Sequence, residues 1–511
     1  MLTTTDPRTG TVTDTVLDAT APEQTDAVVR AAQAAFDELA TRDRGWRAGL
    51  LDALADALDA DRAALVEVAD RETGLGPARL DGEVSRAAFQ FRLFAEAVRE
   101  GGYLEAAIDH GGQTALGPAP EIRRLLVPIG PVAVFGSSNF PFAFSVAGGD
   151  TASALAGGNP VVLKAHSSHL ETSARSFAVL SAAASAYGAP DGVLGIVYGT
   201  GAGGALVSHP LVRAVGFTGS LGGGQALMDL IARRDEPIPF YGELSSLNPL
   251  VITPGAAAAR GGEIADGLFG SFTLGSGQFC TKPGIAFVPN GADGDALVAH
   301  LVERTTDAAA SVLLNARIAT SFDEIRDRLV ADGAVELLAR GGSGADAAGA
   351  AAGFTAAGFT AAPTVLGVAA RDITAEVAEE AFGPLVVVAR YDTDADIFVA
   401  LDAVPDSLTA TVHSEPAEAD AVNALVARLA PRVGRLVFDG YPTGVRVSWA
   451  QHHGGPWPAT NSQHTSVGVS AIRRFLRPLA YQDAPESVLP AELRDDFRGI
   501  PRRVDGVLQL A

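Results

Sequence analysis

Between Glu121 and Val215 the chain alternates short β-branched runs with alanine-rich segments of helical length. The apolar runs are RRLLVP, VAVFG, PVVLK, VLGIVYG and VRAVGFTG, and helices are expected around Thr151 to Ala156, from Glu171 to Ala186 and around Ala205. Runs that are apolar almost throughout are buried on both faces, and strands separated by helices run parallel, so the stretch predicts a doubly wound sheet. A second alternating set follows Glu243: LVI at Leu250 to Ile252, a long helix after Gly261, IAFVP at Ile285, a helix from Gly294 to Ala309, PLVVVARY at Pro384 and RLVFDG at Arg435. It predicts a second α/β domain. Ahead of both, Val28, Ala32, Phe36 and Leu39, then Trp46, Leu50, Leu54 and Leu58, fall at helical spacing, which predicts a helix-rich block from Glu23 to Glu100. With 511 residues, two or three domains are expected.

Composition excludes several functions. Sixty acidic against 38 basic residues give a net charge of −22, which repels nucleic acid and acidic membrane faces. Only Lys164 and Lys282 among the basic residues are lysine. A single cysteine, Cys280, rules out an intramolecular disulfide framework or a multi-cysteine metal cluster and points to the cytoplasm. Met1 to Asp18 lacks a basic start followed by an apolar run, so no secretory signal is expected. The uncharged stretch Leu125 to Gly149 is interrupted by Pro128, Pro131 and Pro141 and reads as buried strands and turns, not a membrane span. The expectation is a soluble protein. Gly341 to Thr364 is a low-complexity Ala/Gly segment holding AAGFT twice, which predicts an exposed loop leading into a strand. From His452 to Arg477 the chain offers a Gly-Gly-Pro-Trp-Pro turn and a basic helix around Arg473, Arg474 and Arg477, a tail placed to pack on a partner subunit.

Three residues invite chemical readings. Cys280 lies in Gly275-Ser276-Gly277-Gln278-Phe279-Cys280-Thr281-Lys282. A free thiol is a few per cent ionised at neutral pH; the glycines allow close backbone approach, and the charge of Lys282 two residues on would favour the thiolate. The plainer reading is a small buried hydrophobe. Glu243, in Gly242-Glu243-Leu244-Ser245-Ser246-Leu247-Asn248-Pro249, ends one alternating set and leads into the next. In an apolar crevice between domains its pKa would be raised and it could serve as a general base on water; otherwise it is a surface or capping glutamate. Asn139, in Phe135-Gly136-Ser137-Ser138-Asn139-Phe140-Pro141-Phe142, is either an amide donor to an oxyanion or a turn residue.

Read in order, NFPFAFSVAGGDTASALAGGNPVVLKAH, VGFTGS, GELSSLNP, GQFC and EEAFGPL closely resemble the aldehyde dehydrogenase superfamily across Val134 to Pro384. ADRETGL near Ala69, HGGPWPATNSQHTSVG and AIRRFLRP extend the likeness to nearly the whole chain. AGGDTASALAGGNPVVLKAH and ELSSLNP are similar to one branch, the α-ketoglutaric semialdehyde (2,5-dioxopentanoate) dehydrogenases and the NADP-dependent fatty aldehyde dehydrogenases. The resemblance implies an α/β, aldehyde-dehydrogenase-like fold with a Rossmann-like cofactor domain (1–108 and 128–244), a catalytic domain (245–450), and an oligomerisation arm with C-terminal tail (109–127 and 451–511) that extends a sheet across a homodimer or homotetramer.

It further implies that Cys280 adds to the aldehyde carbonyl, that Asn139 and the Cys280 N–H hold the oxyanion, and that Glu243 activates the water that hydrolyses the thioester. Glu380 and Phe382 match the residues beside the nicotinamide ribose, Lys164 matches the cofactor-ribose lysine, and Gly219 with Ser220 matches the loop that receives pyrophosphate. Two departures stand out. Glu243-Leu244-Ser245-Ser246-Leu247 replaces the common Glu-Leu-Gly-Gly-Lys, and Ser167 stands where many NAD-preferring members carry a glutamate that grips the ribose. Without that carboxylate, and with His166 or Ser168 able to hydrogen-bond a 2′-phosphate, NADP is expected as cofactor with NAD also accepted.

The implied reaction is oxidation of a small aldehyde, 2,5-dioxopentanoate, to 2-oxoglutarate. The alternatives are a medium or long aliphatic aldehyde and, behind it, acyl transfer to coenzyme A. Gly199-Thr200-Gly201-Ala202-Gly203-Gly204 satisfies G-x-G-x-x-G, yet Gly224 and Gln225 stand where an acid should follow, so it is read as a decoy. His452, His453 and His464 lack a carboxylate or cysteine at ligand spacing; no metal site is expected, and they read as solvated or turn histidines.

Overall fold

The computed structural model describes residues 1–342 and 358–510. The first alternating stretch forms a five-stranded parallel sheet in the spatial order Phe240–Glu243, Ala214–Thr218, Val132–Phe135, Val161–Lys164, Leu194–Val197. Side chains alternate across it as the two-residue strand period requires. Val132, Val134, Val161 and Leu163 face one core with Leu51, Leu54, Phe91 and Leu180, from the helices Arg44–Ala60, Pro77–Glu100 and Leu170–Tyr187. Ala133, Phe135 and Val162 face the other, with Val29, Leu206 and Ile231 of the helices Pro22–Leu39, Thr200–Ser208 and Leu221–Ala232. The chain runs outward from Val132–Phe135 to the edge strand Leu194–Val197 and then returns to the opposite side of Val132–Phe135. At that reversal the loops diverge and leave a crevice beyond the carboxyl ends of the strands.

The second sheet has seven strands, ordered Glu336–Arg340, Thr364–Ala369, Leu385–Tyr391, Ile285–Pro289, Pro249–Ile252, Ser407–His413, Val433–Phe438. Its first pair is antiparallel and the others are parallel. Leu250, Ile252, Ala286 and Val288 pack one face, and Val251, Phe287, Val387 and Val412 the other. Thr364–Ala369 is the strand expected to follow the Ala/Gly segment, whereas the sequence reading did not name the wholly buried interior strand Ser407–His413.

Three expectations are corrected. RRLLVP does not open the parallel set. As Ile122–Pro128 it lies in a third sheet, antiparallel to Leu476–Gln482 from Ile122↔Gln482 to Pro128↔Leu476, with Ala107–Asp109, Arg502–Val504 and Val507–Gln509 beyond it. Two of its seven side chains are exposed and three more partly so, which suits a sheet layered on one side only. The basic helix around Arg473 is a short 3₁₀ segment, Val469–Phe475, and Arg477 belongs to the following strand. Arg474 does not face outward: it is buried, paired with Asp150, with its guanidinium 5.0 Å from the Phe475 ring centroid. The long helix after Gly261 begins earlier, at Pro254, capped by Thr253, and is interrupted at Arg260.

Leu125 to Gly149 resolves into strands and turns, and no helix among the described residues is long and apolar enough to cross a membrane. Most of the Ala/Gly segment, residues 343–357 with the first AAGFT, lies outside the described residues.

Candidate active site

The carboxyl ends of the first sheet face the amino ends of the second. Between them runs a cleft of about 1270 Å³. One wall consists of residues that follow strands of the first sheet: Ser137 to Asn139, His166 to Ser168, Thr218 to Gly222, and Glu243 to Leu247. The other consists of residues that precede strands of the second: Cys280 before Ile285–Pro289, Glu380 and Phe382 before Leu385–Tyr391, Arg432 before Val433–Phe438. All of the sequence-selected site residues except Lys164 line this cleft. Lys164 ends its strand, half-buried, with its stem against Gly203, and loss of hydration lowers its pKa. The glycine run from Gly199 lies by the edge strand Leu194–Val197 and does not line the cleft.

Cys280 is placed by backbone. After the helix Pro254–Thr273 the chain turns through three left-handed residues, Gly275 (φ 56°), Ser276 (φ 60°) and Gly277 (φ 68°). At Gly277 a Cβ would come within 2.2 Å of the Gly383 carbonyl oxygen, so only glycine permits the contact that joins the Cys280 loop to the loop carrying Glu380 and Phe382. Asn248, itself left-handed at φ 58°, donates through Nδ2 to the carbonyls of Cys280 (2.8 Å) and Lys282 (2.9 Å).

Lys282 points away from the thiol. Its buried ammonium donates to the carbonyls of Ala381 (2.8 Å) and Leu385 (3.0 Å), fastening the Glu380 loop. The expected activation of Cys280 by Lys282 is therefore overturned: burial pushes the thiol pKa well up, and the neighbouring Glu243 charge pushes it further.

Glu243 is the last residue of its strand and is buried. Its Oε1 accepts from His453 Nε2 at 2.9 Å and its Oε2 from Ser466 Oγ at 2.7 Å. Burial works to raise its pKa, as the sequence reading expected. The His453 charge and the hydrogen bonds from His453, Ser466 and Cys280 outweigh burial and bring it down to about 2, so that expectation is also corrected.

His453 is the residue that sequence reasoning missed. It is 2 % exposed, not solvated, and its Nε2 lies 3.5 Å from Cys280 Sγ as well as against Glu243. An ionised carboxylate only accepts, so the Nε2 position carries the proton that bridges Glu243 and the sulfur. The only local signal was its place before Gly454-Gly455, where the backbone folds tightly: Gly455 packs on the Ser407 carbonyl and carries His453 inward. The potential ligand atoms of Glu243, Cys280 and His453 lie within 4.8 Å of one another, close enough for a divalent ion to occupy. His464 instead packs edge-on to Tyr241, 5.5 Å between centroids.

Asn139 is buried beside the nucleophile, its Nδ2 donating to the Gln278 carbonyl at 3.0 Å. Arg79 steadies it by donating to the Asn139 carbonyl at 2.6 Å while lying against the rings of Phe140 and Phe279. Glu380 accepts from the Ser246 N–H at 3.1 Å. Burial raises its pKa to about 7 against the pull of Lys282, whose own pKa burial lowers to about 8.

The remaining cleft suits a dinucleotide. Ser220 caps the helix Leu221–Ala232, and residues 219–222 present backbone to the cleft at that helix start, a favourable place for a phosphate anion. Ser137 Oγ, also on the wall, is buried without a partner among the described residues, a donor left for a ligand.

A thiol, a buried amide donor and a carboxylate thus converge around one point at the inner end of a long cleft between two sheets, the arrangement of a dehydrogenase. The chain belongs to the aldehyde dehydrogenase family, whose profile it matches over residues 1–455. It is 44% identical over 483 residues to alpha-ketoglutaric semialdehyde dehydrogenase 2 of Azospirillum brasilense, covering 93% of this chain and 90% of that one. It is 39% identical over 504 residues to the alpha-ketoglutaric semialdehyde dehydrogenase of Acinetobacter baylyi, covering 95% and 91%. Among solved structures, a 3,6-anhydro-L-galactose dehydrogenase in complex with NAP shares the fold, with a TM-score of 0.79 at 22% identity over 94% of this chain and 95% of that one.

Proposed function

We propose that this aldehyde dehydrogenase oxidises 2,5-dioxopentanoate to 2-oxoglutarate with NADP, accepting NAD as well. The observation that carries the chemistry is the convergence of Cys280, His453 and Glu243 at the inner end of the cleft. The high identity to two α-ketoglutaric semialdehyde dehydrogenases over most of the chain supports the substrate.

In this reading the Cys280 sulfur attacks the aldehyde carbon. Its proton leaves toward the Glu243 carboxylate, and the His453 N–H steadies the negative charge as it moves from carboxylate to sulfur. Asn139 Nδ2 and the Cys280 N–H hold the oxyanion, a role in which one donor contributes roughly 3 kcal/mol. A nicotinamide bound in the cleft would supply the hydride acceptor, so that the acyl group remains on Cys280 as a thioester. Glu243 passes the thiol proton to solvent and then takes a proton from the attacking water; collapse of the tetrahedral adduct releases the carboxylic acid, and that proton returns to the sulfur to restore the thiol. Lys164, His166 and Ser167 would hold the adenosine ribose, Gly219 and Ser220 the pyrophosphate, and Glu380 and Phe382 the nicotinamide ribose.

A second copy of the chain is the proposed partner. Leu476–Gln482 at the edge of the third sheet and Val433–Phe438 at the edge of the second each leave one side unpaired. Pairing of these edges in trans would join the sheets of two copies and remove an exposed template for aggregation. We assign the protein to the cytoplasm on its lone free thiol.

The test is the initial rate of reduced-nicotinamide formation with 2,5-dioxopentanoate, hexanal and dodecanal, each with NAD and NADP, with Cys280→Ala as blank. The dioxo acid should exceed both alkanals at least tenfold in kcat/KM, about 1.4 kcal/mol at the transition state. An alkanal winning by that margin would keep the mechanism and overturn the substrate.

A further inference from the structure

Two arginines stand on the cleft wall, and they differ in how their charge is met. Arg432 is neutralised by Asp406 at 2.9 Å, with Asp402 at 3.9 Å. Arg317 makes no hydrogen bond or ion pair among the described residues. Of these two, Arg317 is therefore the one whose charge is left to meet an anion in the cleft. Its local position offers no reward either. Arg317 sits in the first turn of the helix Ala316–Ala331, where the backbone dipole is already positive and where no acidic residue is present. A residue that breaks a local rule without local compensation points to a function.

Its surroundings indicate which one. Asn315 caps this helix with its oxygen, accepting from the Ile318 N–H at 2.9 Å, and donates through Nδ2 to Ser168 Oγ at 2.8 Å. That bond ties the helix start in the second domain to the loop after strand Val161–Lys164 in the first. Arg317, two residues beyond Asn315, shares the cleft wall with His166, Ser167 and Ser168, and its field reaches the His166 ring. No acid stands among those three residues to repel an anion.

We infer that Arg317 is a cofactor-specificity residue: its guanidinium reaches across the cleft and pairs with the 2′-phosphate of NADP held over Ser167 and Ser168. This rests on the NADP reading above. A planar guanidinium matches a phosphate with two parallel N–H donors, a geometry a serine or histidine cannot supply. Because the arginine belongs to one domain and the serines to the other, the phosphate bridges them, and NADP fastens the cleft more firmly than NAD.

The test is calorimetric titration of NADP and NAD into wild type, Arg317→Ala and Arg317→Lys, without substrate and at low and high salt. Arg317→Ala should weaken NADP at least tenfold, about 1.4 kcal/mol, and NAD less than twofold. Arg317→Lys should recover part of the NADP affinity, and the salt dependence of NADP binding should flatten in the alanine variant. Equal weakening of both nucleotides would assign Arg317 to the pyrophosphate or to packing and overturn the inference, as would no change in either. Unchanged melting temperatures of the variants exclude misfolding. Wild type alone judges the cofactor reading. If it binds NADP no tighter than NAD, that preference falls, while a selective loss of NADP in Arg317→Ala still supports the role of Arg317.

Discussion

Glu243 and Glu380 line the same cleft, the first buried and the second half-buried, yet their environments drive them apart. Glu243 ends a strand of the first sheet and meets three donors, from His453, Ser466 and Cys280; its pKa falls to about 2. Glu380 precedes a strand of the second sheet and meets the Ser246 N–H, the Ser245 side chain and the charge of Lys282; burial prevails and its pKa rises to about 7. Burial is the largest single influence on both, so the sign is set by what opposes it, the charge and hydrogen bond of His453 with two further donors at Glu243 against the charge of Lys282 with two donors at Glu380. The first carboxylate is held ready to accept a proton from sulfur or water. The second switches between hydrogen-bond donor and acceptor near neutral pH.

The contrast can be broken from either side. Glu243→Gln should have the largest effect: steady-state turnover falls about a thousandfold, while a burst of one reduced nicotinamide per site still forms, more slowly than in wild type because the thiol has lost its proton acceptor. Turnover that depends on added coenzyme A and survives Glu243→Gln would replace hydrolysis by acyl transfer. His453→Gln comes next, with a loss of about a hundredfold. Without the imidazole, burial dominates at Glu243, its pKa rises, and the acid limb of the pH–rate profile moves to higher pH. Alkylation of Cys280 by iodoacetamide should slow as well, which a purely structural His453 would not produce.

Glu380→Gln should raise the cofactor KM about tenfold with a smaller change in kcat. It also changes the pH dependence of stability. Glu380 binds in the folded state a proton that the unfolded chain releases between about 4.5 and 7, so its contribution is lost as pH rises through that window; the glutamine variant should lack this decline in a chemical-denaturation series. Glu243 has the opposite sign, contributing stability above its ordinary value of 4.5 that is lost as pH falls toward 2. The smallest effect is expected from Ser466→Ala, which removes one of the donors to Glu243 and should cost about 1 kcal/mol, read as a roughly fivefold loss in kcat/KM.

Much of the fold was legible because apolar runs of strand length are dictated by burial on both faces. VAVF, VVLK and IAFVP had no other place to go. Ser407–His413 escaped because its residues 407, 409 and 411 are hydroxyl-bearing; their polarity conceals an interior strand in which Asn248 satisfies Thr409 through backbone and side chain. RRLLVP was misplaced because its arginines reveal a one-sided sheet only when the partner strand, over 340 residues later, is known. At the site, Cys280, Asn139, Glu243 and Glu380 stand in motifs, and the chain brings them to one cleft. His453 does not: its importance lies in a contact across 173 residues to Cys280 and 210 to Glu243. The direction of Lys282 was misread for the same reason, since proximity in sequence says nothing about which loop an ammonium binds.

The two lysines carry a final consequence. Lys282 is fully enclosed and Lys164 is half-buried at the end of its strand, so the exterior presents basic groups almost wholly as guanidinium. Aldehydes condense with primary amines to form imines and do so far less readily with guanidinium. A catalyst that spends its working life among free aldehydes thus offers them scarcely any lysine side chain to decorate, and amine-directed crosslinkers or activated-ester dyes would find little to hold apart from the chain's first residue.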